Sequence, residues 1–346
     1  MSGPSRVREV IFARKEYKSK EVIDFLKERS NLELIDKLKH PHLIHIKQTY
    51  QLGKRFNILF PYAKSNLQNY LRKGQAPRDR HPSKNLLWEQ VLGITEALSK
   101  IINFEDPEDP TGRKGMKGYH LDLKPQNVLV FVERAPGRPS NNVLRISDFG
   151  QSEFLDDAAG RSGSTSRLIG AGGTDAYAPP EYYGIGASEK YDVWSLGIIV
   201  LEILAFAVRG IDGLKDRRTG LDNVRHTKGS EYFNARFYSG RGRGAKIKPE
   251  ILTWLKGLLQ DESVQESERE LFVQPLAELC LEMLEPDYTK RKSIDDTLSK
   301  MREIFQADSS ESSEETAVSL KRNDEEILVD LKYVSTTIAR YNIALG

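Results

Sequence analysis

The feature that most constrains the fold is a change of hydrophobic period at Pro61. Ahead of it, Val10–Ala13 reads as a short strand, and Lys20–Lys39 as a helix carrying Val22, Phe25, Leu26, Leu32, Ile35 and Leu38 near three- to four-residue spacing. Pro41 ends that helix, and Leu43–Leu52 and Phe56–Phe60 read as two strands around the turn Gly53-Lys54-Arg55. Behind it, the spacing predicts helices at Leu67–Arg72, Leu86–Phe104, Asp192–Val208, Pro249–Leu259, Leu271–Leu284 and Ser293–Phe305, with strands at Val128–Val132 and Val143–Ser147. The pattern is that of an α+β chain: a small sheet with one helix, a hinge near Pro61–Lys64, and a larger helical region.

Composition narrows the class. The chain has 346 residues, enough for one large bilobal domain or two ordinary ones. Its formal net charge of +2 gives no ground for a polyanion-binding protein. A hydrophobic share of 38% supplies a core and argues against global disorder. The single cysteine, Cys280, excludes an internal disulfide and a cysteine-based zinc site, and its apolar neighbours Leu276–Leu284 suggest a buried, inert thiol. Met1–Val10 has no apolar signal-peptide core. The longest apolar run, Leu196–Val208, is short of the roughly 20 residues a bilayer span needs and contains Glu202. The expectation is an intracellular, reducing setting, cytoplasmic or nuclear, with no membrane partner.

Four stretches read as loops or insertions: Glu105–Gly118, Arg134–Asn142, Asp156–Gly173 and Ile211–Lys248. The last holds the basic piece Arg236–Lys248, with Arg241-Gly242-Arg243-Gly244 inside it. Only Phe237 and Tyr238 flank that tract as aromatic neighbours, so the reading is an exposed insertion meeting substrates rather than a nucleic-acid surface. Ala307–Thr316 is Ser/Glu-rich and reads as a flexible linker. Beyond it, Ile327, Leu331, Val334, Ile338 and Tyr341 line one face of an amphipathic helix, suited to docking on the chain itself or on a partner.

The chemistry concentrates in two segments. His120-Leu121-Asp122-Leu123-Lys124-Pro125-Gln126-Asn127 puts a carboxylate, an amine and a carboxamide on one loop before a strand, and Ser147-Asp148-Phe149-Gly150 follows a second strand. Two carboxylates and an amide converging from strand ends suit Mg²⁺, which takes hard oxygen ligands, and a nearby lysine suits a phosphate.

These segments resemble those of the eukaryotic protein kinase family. The resemblance continues, in family order, through Gly173-Thr174-Asp175-Ala176-Tyr177-Ala178-Pro179-Pro180-Glu181, Asp192-Val193-Trp194-Ser195-Leu196-Gly197 and Arg291, and covers roughly residues 10–306. It implies a bilobal protein-kinase-like fold with a β-rich N-lobe over 1–62, its first strands missing, a helical C-lobe over 63–306, and a tail over 307–346. It also implies ATP and Mg²⁺ as cofactors and a protein hydroxyl as substrate. Asp122 would orient the substrate hydroxyl, Lys124 would contact the transferring phosphate, and Asn127 and Asp148 would hold Mg²⁺. Lys15, in Phe12-Ala13-Arg14-Lys15, would pair with the α- and β-phosphates. Phe60 would stand at the rear of the adenine pocket, and the Pro61 carbonyl and Ala63 N–H would face adenine. His120 and Asp192 would pin the catalytic loop, Glu181 and Arg291 would form a buried pair, and Thr174 would touch the catalytic loop. Gly173-Thr174 followed by Tyr177 resembles the Ser/Thr branch.

The resemblance breaks at four places. The family's glycine-rich loop should lie about 15–20 residues before the lysine, but Met1–Arg14 holds one glycine, Gly3. The helix glutamate, counted back from His40-Pro41, falls on Asn31, whose amide could bond Lys15; Glu28 shares that face and Glu33 does not. Leu121 replaces the arginine that receives activation-loop phosphate, which argues against a phosphate switch there; Ser162, Ser164, Thr165 and Ser166 read as a solvated loop. Pro179 replaces a small residue. The alternatives to an active kinase are a pseudokinase acting as a scaffolding module and a truncated gene product with weak ATP binding.

Overall fold

The computed structural model describes residues 11–73, 87–108, 115–133, 141–156, 173–183, 186–188, 190–216, 220–226 and 235–318. Ser162 through Ser166 and the amphipathic stretch from Ile327 to Tyr341 lie outside the described residues.

The first layer is an antiparallel sheet of β1 (Phe12–Lys18), β2 (Gln48–Leu52) and β3 (Arg55–Pro61) in the order β1-β3-β2. Gly53, at φ +59°, makes the tight turn between β2 and β3. Helix α1 (Val22–Lys37) crosses between β1 and β2 and buries Phe25, Glu28, Asn31, Leu32 and Ile35. Lys39, at φ +46°, unwinds its end just before His40-Pro41. The second strand thus starts later than the sequence predicts: Leu43 and Ile44 are fully buried outside any strand, and Leu43 bridges Ile146.

Past Pro61 come β4 (Ser65–Asn66), α2 (Leu67–Lys73), α3 (Leu87–Ile102), β5 (Phe104–Glu105), β6 (Gly115–Tyr119), β7 (Val128–Glu133), β8 (Asn141–Ile146) and β9 (Glu153–Asp156). They form two further three-stranded sheets, β4-β7-β8 and β5-β6-β9. β6 corrects the expected loop Glu105–Gly118: it pairs with β9, from Met116 against Asp156 to Tyr119 against Glu153, and a pairing so distant in sequence leaves no local period.

The helical core is built on α4 (Tyr191–Arg209), in which every residue from Tyr191 to Ala207 is buried. A helix apolar on all sides must be enclosed or lie in lipid. This one is long and apolar enough to cross a membrane, but nearly all of it is buried inside the fold. The helices α5 (Ile211–Lys215), α6 (Leu221–Arg225), α7 (Pro249–Leu259), α8 (Gln274–Met283) and α9 (Ile294–Val318) complete the region. Pro249 sits in the first turn of α7, where its missing N–H costs nothing. Ser293 Oγ caps α9 by accepting the Asp296 N–H at 3.1 Å.

Two expectations from composition are corrected. Residues 307–316 are not a linker; they continue α9. The segment Arg236–Lys248 is an exposed insertion only at its tip, where Ser239, Gly240, Arg241, Gly244 and Lys246 are exposed. At its base Arg236, Phe237, Tyr238, Ala245, Ile247 and Lys248 are buried, and the short hairpin of β10 (Tyr238–Ser239) with β11 (Lys246–Ile247) folds that base onto the core. Its buried cations reach internal partners, so basicity there does not mean exposure. Cys280 is fully buried, and burial pushes its thiol well above the usual range.

Candidate active site

The site lies where the first sheet meets the loops before β7 and after β8. Lys15 stands mid-strand on β1, opposite Ile58 of β3. Its Nζ lies 2.6 Å from Glu28 Oε2 on α1 and 2.8 Å from Asp148 Oδ1. Burial alone would lower the Lys15 pKa, but the Glu28 and Asp148 carboxylates reverse this and hold it well above its ordinary value. Asp148 shows the converse balance. Burial pulls its carboxyl up, and the Lys15 ammonium overcomes this and holds it below the usual range.

Glu28, not Asn31, meets the lysine. Tyr17, two residues along the same face of β1, donates its hydroxyl to Glu28 Oε2, so the buried carboxylate has two fixed partners. Asn31 does something else: its Nδ2 donates to Phe149 O at 2.8 Å and Ser152 O at 2.9 Å. These bonds tie α1 to the turn after Asp148, which itself takes a left-handed φ of +65°. Phe149 is fully buried, its ring 5.1 Å from that of His120 in an edge contact. A side chain at Gly150 would press on Glu28 Oε2, 3.1 Å from its Cβ position.

The second cluster surrounds Asp122. Lys124 Nζ donates to Asp122 Oδ2 at 2.6 Å and to Thr174 Oγ1 at 2.7 Å, and Thr174 Oγ1 donates to Asp122 Oδ1 at 2.8 Å. Asn127 Nδ2 donates to the Asp122 carbonyl at 2.8 Å and to Oδ2 at 3.0 Å. Four side chains that the sequence singles out therefore converge. Gly173, at φ +116°, opens the Thr174 segment; a Cβ there would meet Leu121 O at 2.9 Å, so only glycine allows this approach.

Asp192, fully buried at the start of α4, holds the loop from beneath. Its carboxylate accepts the N–H groups of His120 (2.7 Å) and Leu121 (3.0 Å), and Leu121 sits at φ +64°. Burial raises the Asp192 pKa, and these two donors oppose the rise. His120 Nε2 donates to Ser147 O at 3.0 Å, and its Nδ1 accepts the Asp122 N–H at 3.3 Å, so both ring nitrogens serve the loop's shape. Lower down, Arg291 makes a buried two-pronged contact with Glu181, at 2.7 and 2.8 Å.

Pro61 ends β3 opposite Phe12. Ala63 packs partly buried on the core, and the Lys64 N–H donates to Val130 O at 2.9 Å, tying this connection to β7. Phe60 is half-buried against the same core.

For Mg²⁺, the donor set is the test. Asn127 commits its Nδ2 to Asp122, which leaves the amide oxygen as its remaining donor, and the Asp148 side chain is 42% exposed. An amide oxygen and an ionised carboxylate are hard ligands of the kind Mg²⁺ takes, so the residues fit it. Among the described residues no group of three His, Cys, Asp or Glu could hold a metal by itself. A Mg²⁺ site at these two residues would be completed by phosphate oxygens and water.

The family model for the protein kinase domain matches residues 3–301. The chain belongs to the protein kinase family. As in that family, a β-sheet region precedes a helical one. Among similar proteins are the serine/threonine-protein kinase tousled-like 2 of Homo sapiens, 27% identical over 175 residues, which is 49% of this chain and 20% of the relative. The mouse tousled-like 1 kinase is 28% identical over 175 residues, with the same two shares. A G-type lectin S-receptor-like serine/threonine-protein kinase of Oryza sativa subsp. japonica is 36% identical over 86 residues, 25% of this chain and 9% of that protein. The matched part spans about a fifth of the length of the tousled-like relatives.

Sequence reasoning passed over Tyr17 and Arg225. Tyr17 was legible as the next residue on the Lys15 face of β1. Arg225 carried no local signal, because its partners lie in other elements.

Proposed function

We propose that this protein kinase transfers the ATP γ-phosphate to a serine or threonine hydroxyl of a protein. The observation that carries this reading is the joined pair of clusters: Lys15 bridges Glu28 and Asp148, while Asp122, Lys124, Asn127 and Thr174 interlock one loop away. Lys15 would hold the α- and β-phosphates, with Glu28 fixing its ammonium. Pro61 and Ala63 would offer main-chain groups to adenine. Asp122 would accept the hydrogen bond of the substrate hydroxyl and draw its proton as the oxygen attacks. Lys124 would then balance charge on the phosphoryl oxygens. Asn127 and Asp148 would hold Mg²⁺, which neutralises phosphate charge when bound. Little covalent chemistry falls to the protein, so positioning and charge do most of the work. The protein substrate and an intracellular setting belong to the same proposal.

The alternative is a scaffolding module without efficient transfer. Phosphate transfer to a mixed protein substrate decides between them. Asp122→Ala should lower the rate by roughly 10²–10⁴-fold while the unfolding midpoint stays near that of the parent. Transfer that survives the substitution would show that Asp122 does not orient the substrate hydroxyl, and a parent chain with no transfer at all would favour the scaffold.

A further inference from the structure

Thr174 reaches Asp122 and Lys124 from a segment that must itself be held. The three residues after it are each gripped from below by an arginine or that arginine's partner. Arg225, at the end of α6, donates Nη2 to Ala176 O at 2.9 Å, Nη1 to Glu202 Oε1 at 2.8 Å, and Nε to Ala235 O at 3.0 Å. Its guanidinium also lies over the rings of Tyr177 (5.1 Å) and Phe237 (4.7 Å). Tyr177 donates its hydroxyl to the same Glu202 Oε1 at 2.9 Å. Glu202 lies in the apolar middle of α4, between Leu201 and Ile203, and it is committed to this contact; the side chains of Arg225 and Glu202 are 5% and 7% exposed. Lys248 Nζ donates to Arg225 O at 2.9 Å and fixes the arginine's backbone.

Arg236 supplies a second grip nearer the surface. Its Nη2 lies 3.0 Å from Asp175 Oδ2, and its guanidinium stacks 4.0 Å above the Tyr183 ring, while Tyr183 donates its hydroxyl to Asp175. Meanwhile Leu121, fully buried, offers no cation at the loop position that in the family receives an activating phosphate.

We propose that Arg225 and Arg236 are positioning residues that hold Thr174–Tyr177 in place by internal ion pairs, so that the substrate-side segment is ordered without phosphorylation. The buried Glu202 carboxylate supplies the anion that Arg225 pairs with. Because the contact is made by the chain itself, the segment is set once the protein folds. Only the catalytic consequence rests on the kinase reading above; the clamp itself is a statement about the segment.

Hydrogen exchange on the full chain tests it directly. Samples are the parent before and after phosphatase treatment, Arg236→Ala, Arg225→Gln, and the charge-neutral double variant Arg225→Gln with Glu202→Gln. The Tyr177 N–H, which donates to Thr174 O at 2.8 Å, is the reporter. In Arg236→Ala and in the double variant, exchange at residues 175–177 should accelerate by at least about tenfold, while protection in α4 and α8 stays as in the parent. Phosphatase treatment of the parent should change nothing at these amides. Unchanged exchange in both variants would overturn the clamp, and so would loss of protection on phosphatase treatment alone. Should Arg225→Gln unfold the chain globally, Arg236→Ala decides, since its partner Asp175 is 58% exposed. Transfer kinetics on the same samples separate the two readings. With an active parent, the variants should raise KM for the protein substrate and leave KM for ATP as it was. An inactive parent whose variants still lose protection would sink the kinase reading and support the clamp.

Discussion

At the scale of single residues, the fold depends on charges that have been taken out of water and matched by partners built into the chain. Arg291 and Glu181 are the clearest case, with side chains 0% and 3% exposed. Arg291 also donates to the carbonyls of Glu285 and Lys190, so removing Glu181's charge strands a buried guanidinium. Glu181→Ala should cost about 3–5 kcal/mol in urea unfolding, and a loss below about 1 kcal/mol would show that the pair is not held as described. His40 gives a pH signature. Burial, with help from His42 and Lys100, lowers its pKa from the ordinary 6.5 to about 4, and His42 is shifted the same way. The folded state thus resists protonation that the unfolded chain accepts. Stability should be full above about pH 6.5 and fall as the pH drops toward 4, by on the order of 2 kcal/mol. Urea midpoints across this range check the slope, and His40→Gln should flatten it.

At the scale of elements, α1 decides how the lysine is met. Counting from His40-Pro41 assumes a fixed distance from the helix glutamate to the helix end, and that assumption selects Asn31. The helix places Glu28 on Lys15 instead, three residues earlier on the same face, and gives Asn31 to the turn after Asp148. Asn31→Ala would leave two carbonyls, Phe149 O and Ser152 O, without that donor. A cost of about 1–3 kcal/mol is expected, with faster amide exchange in residues 149–152; unchanged exchange there would show that the asparagine does not hold the turn. The contrast shows what the sequence could tell. Helices with long periodic faces, such as Pro249–Leu259, were legible to the residue because burial and period coincide. The catalytic loop and Asp148 were legible because their chemistry is local. β6 and β9 were not, since each is short and pairs at long range. The 236–248 segment was read correctly at its exposed tip and misread at its base, where ring faces and hydrogen bonds take Arg236 and Lys248 inside.

At the scale of the whole molecule, ion pairs span the two regions, and one of them lies in the candidate site. Lys15 belongs to the first sheet and Asp148 to the loop after β8, and the two are 2.8 Å apart. Asn31 adds two more ties from α1 to the same loop. A nucleotide with Mg²⁺ would enter between them, exchanging the Lys15–Asp148 contact for phosphate on the lysine and metal on the carboxylate. Binding should therefore stabilise both regions together rather than one alone. For a site of micromolar affinity at a hundredfold excess of ligand, the gain is about 2.7 kcal/mol, visible as one concerted rise in the unfolding temperature. Asp148→Ala should abolish the Mg²⁺-dependent part of that rise. Lys15 keeps Glu28 as a partner in this variant, so its loss would report the metal site and not a collapse of the lysine. A rise that persists undiminished in Asp148→Ala would place the nucleotide elsewhere. A rise in two separate steps would mean that the regions respond independently, and that the Lys15–Asp148 contact does not couple them.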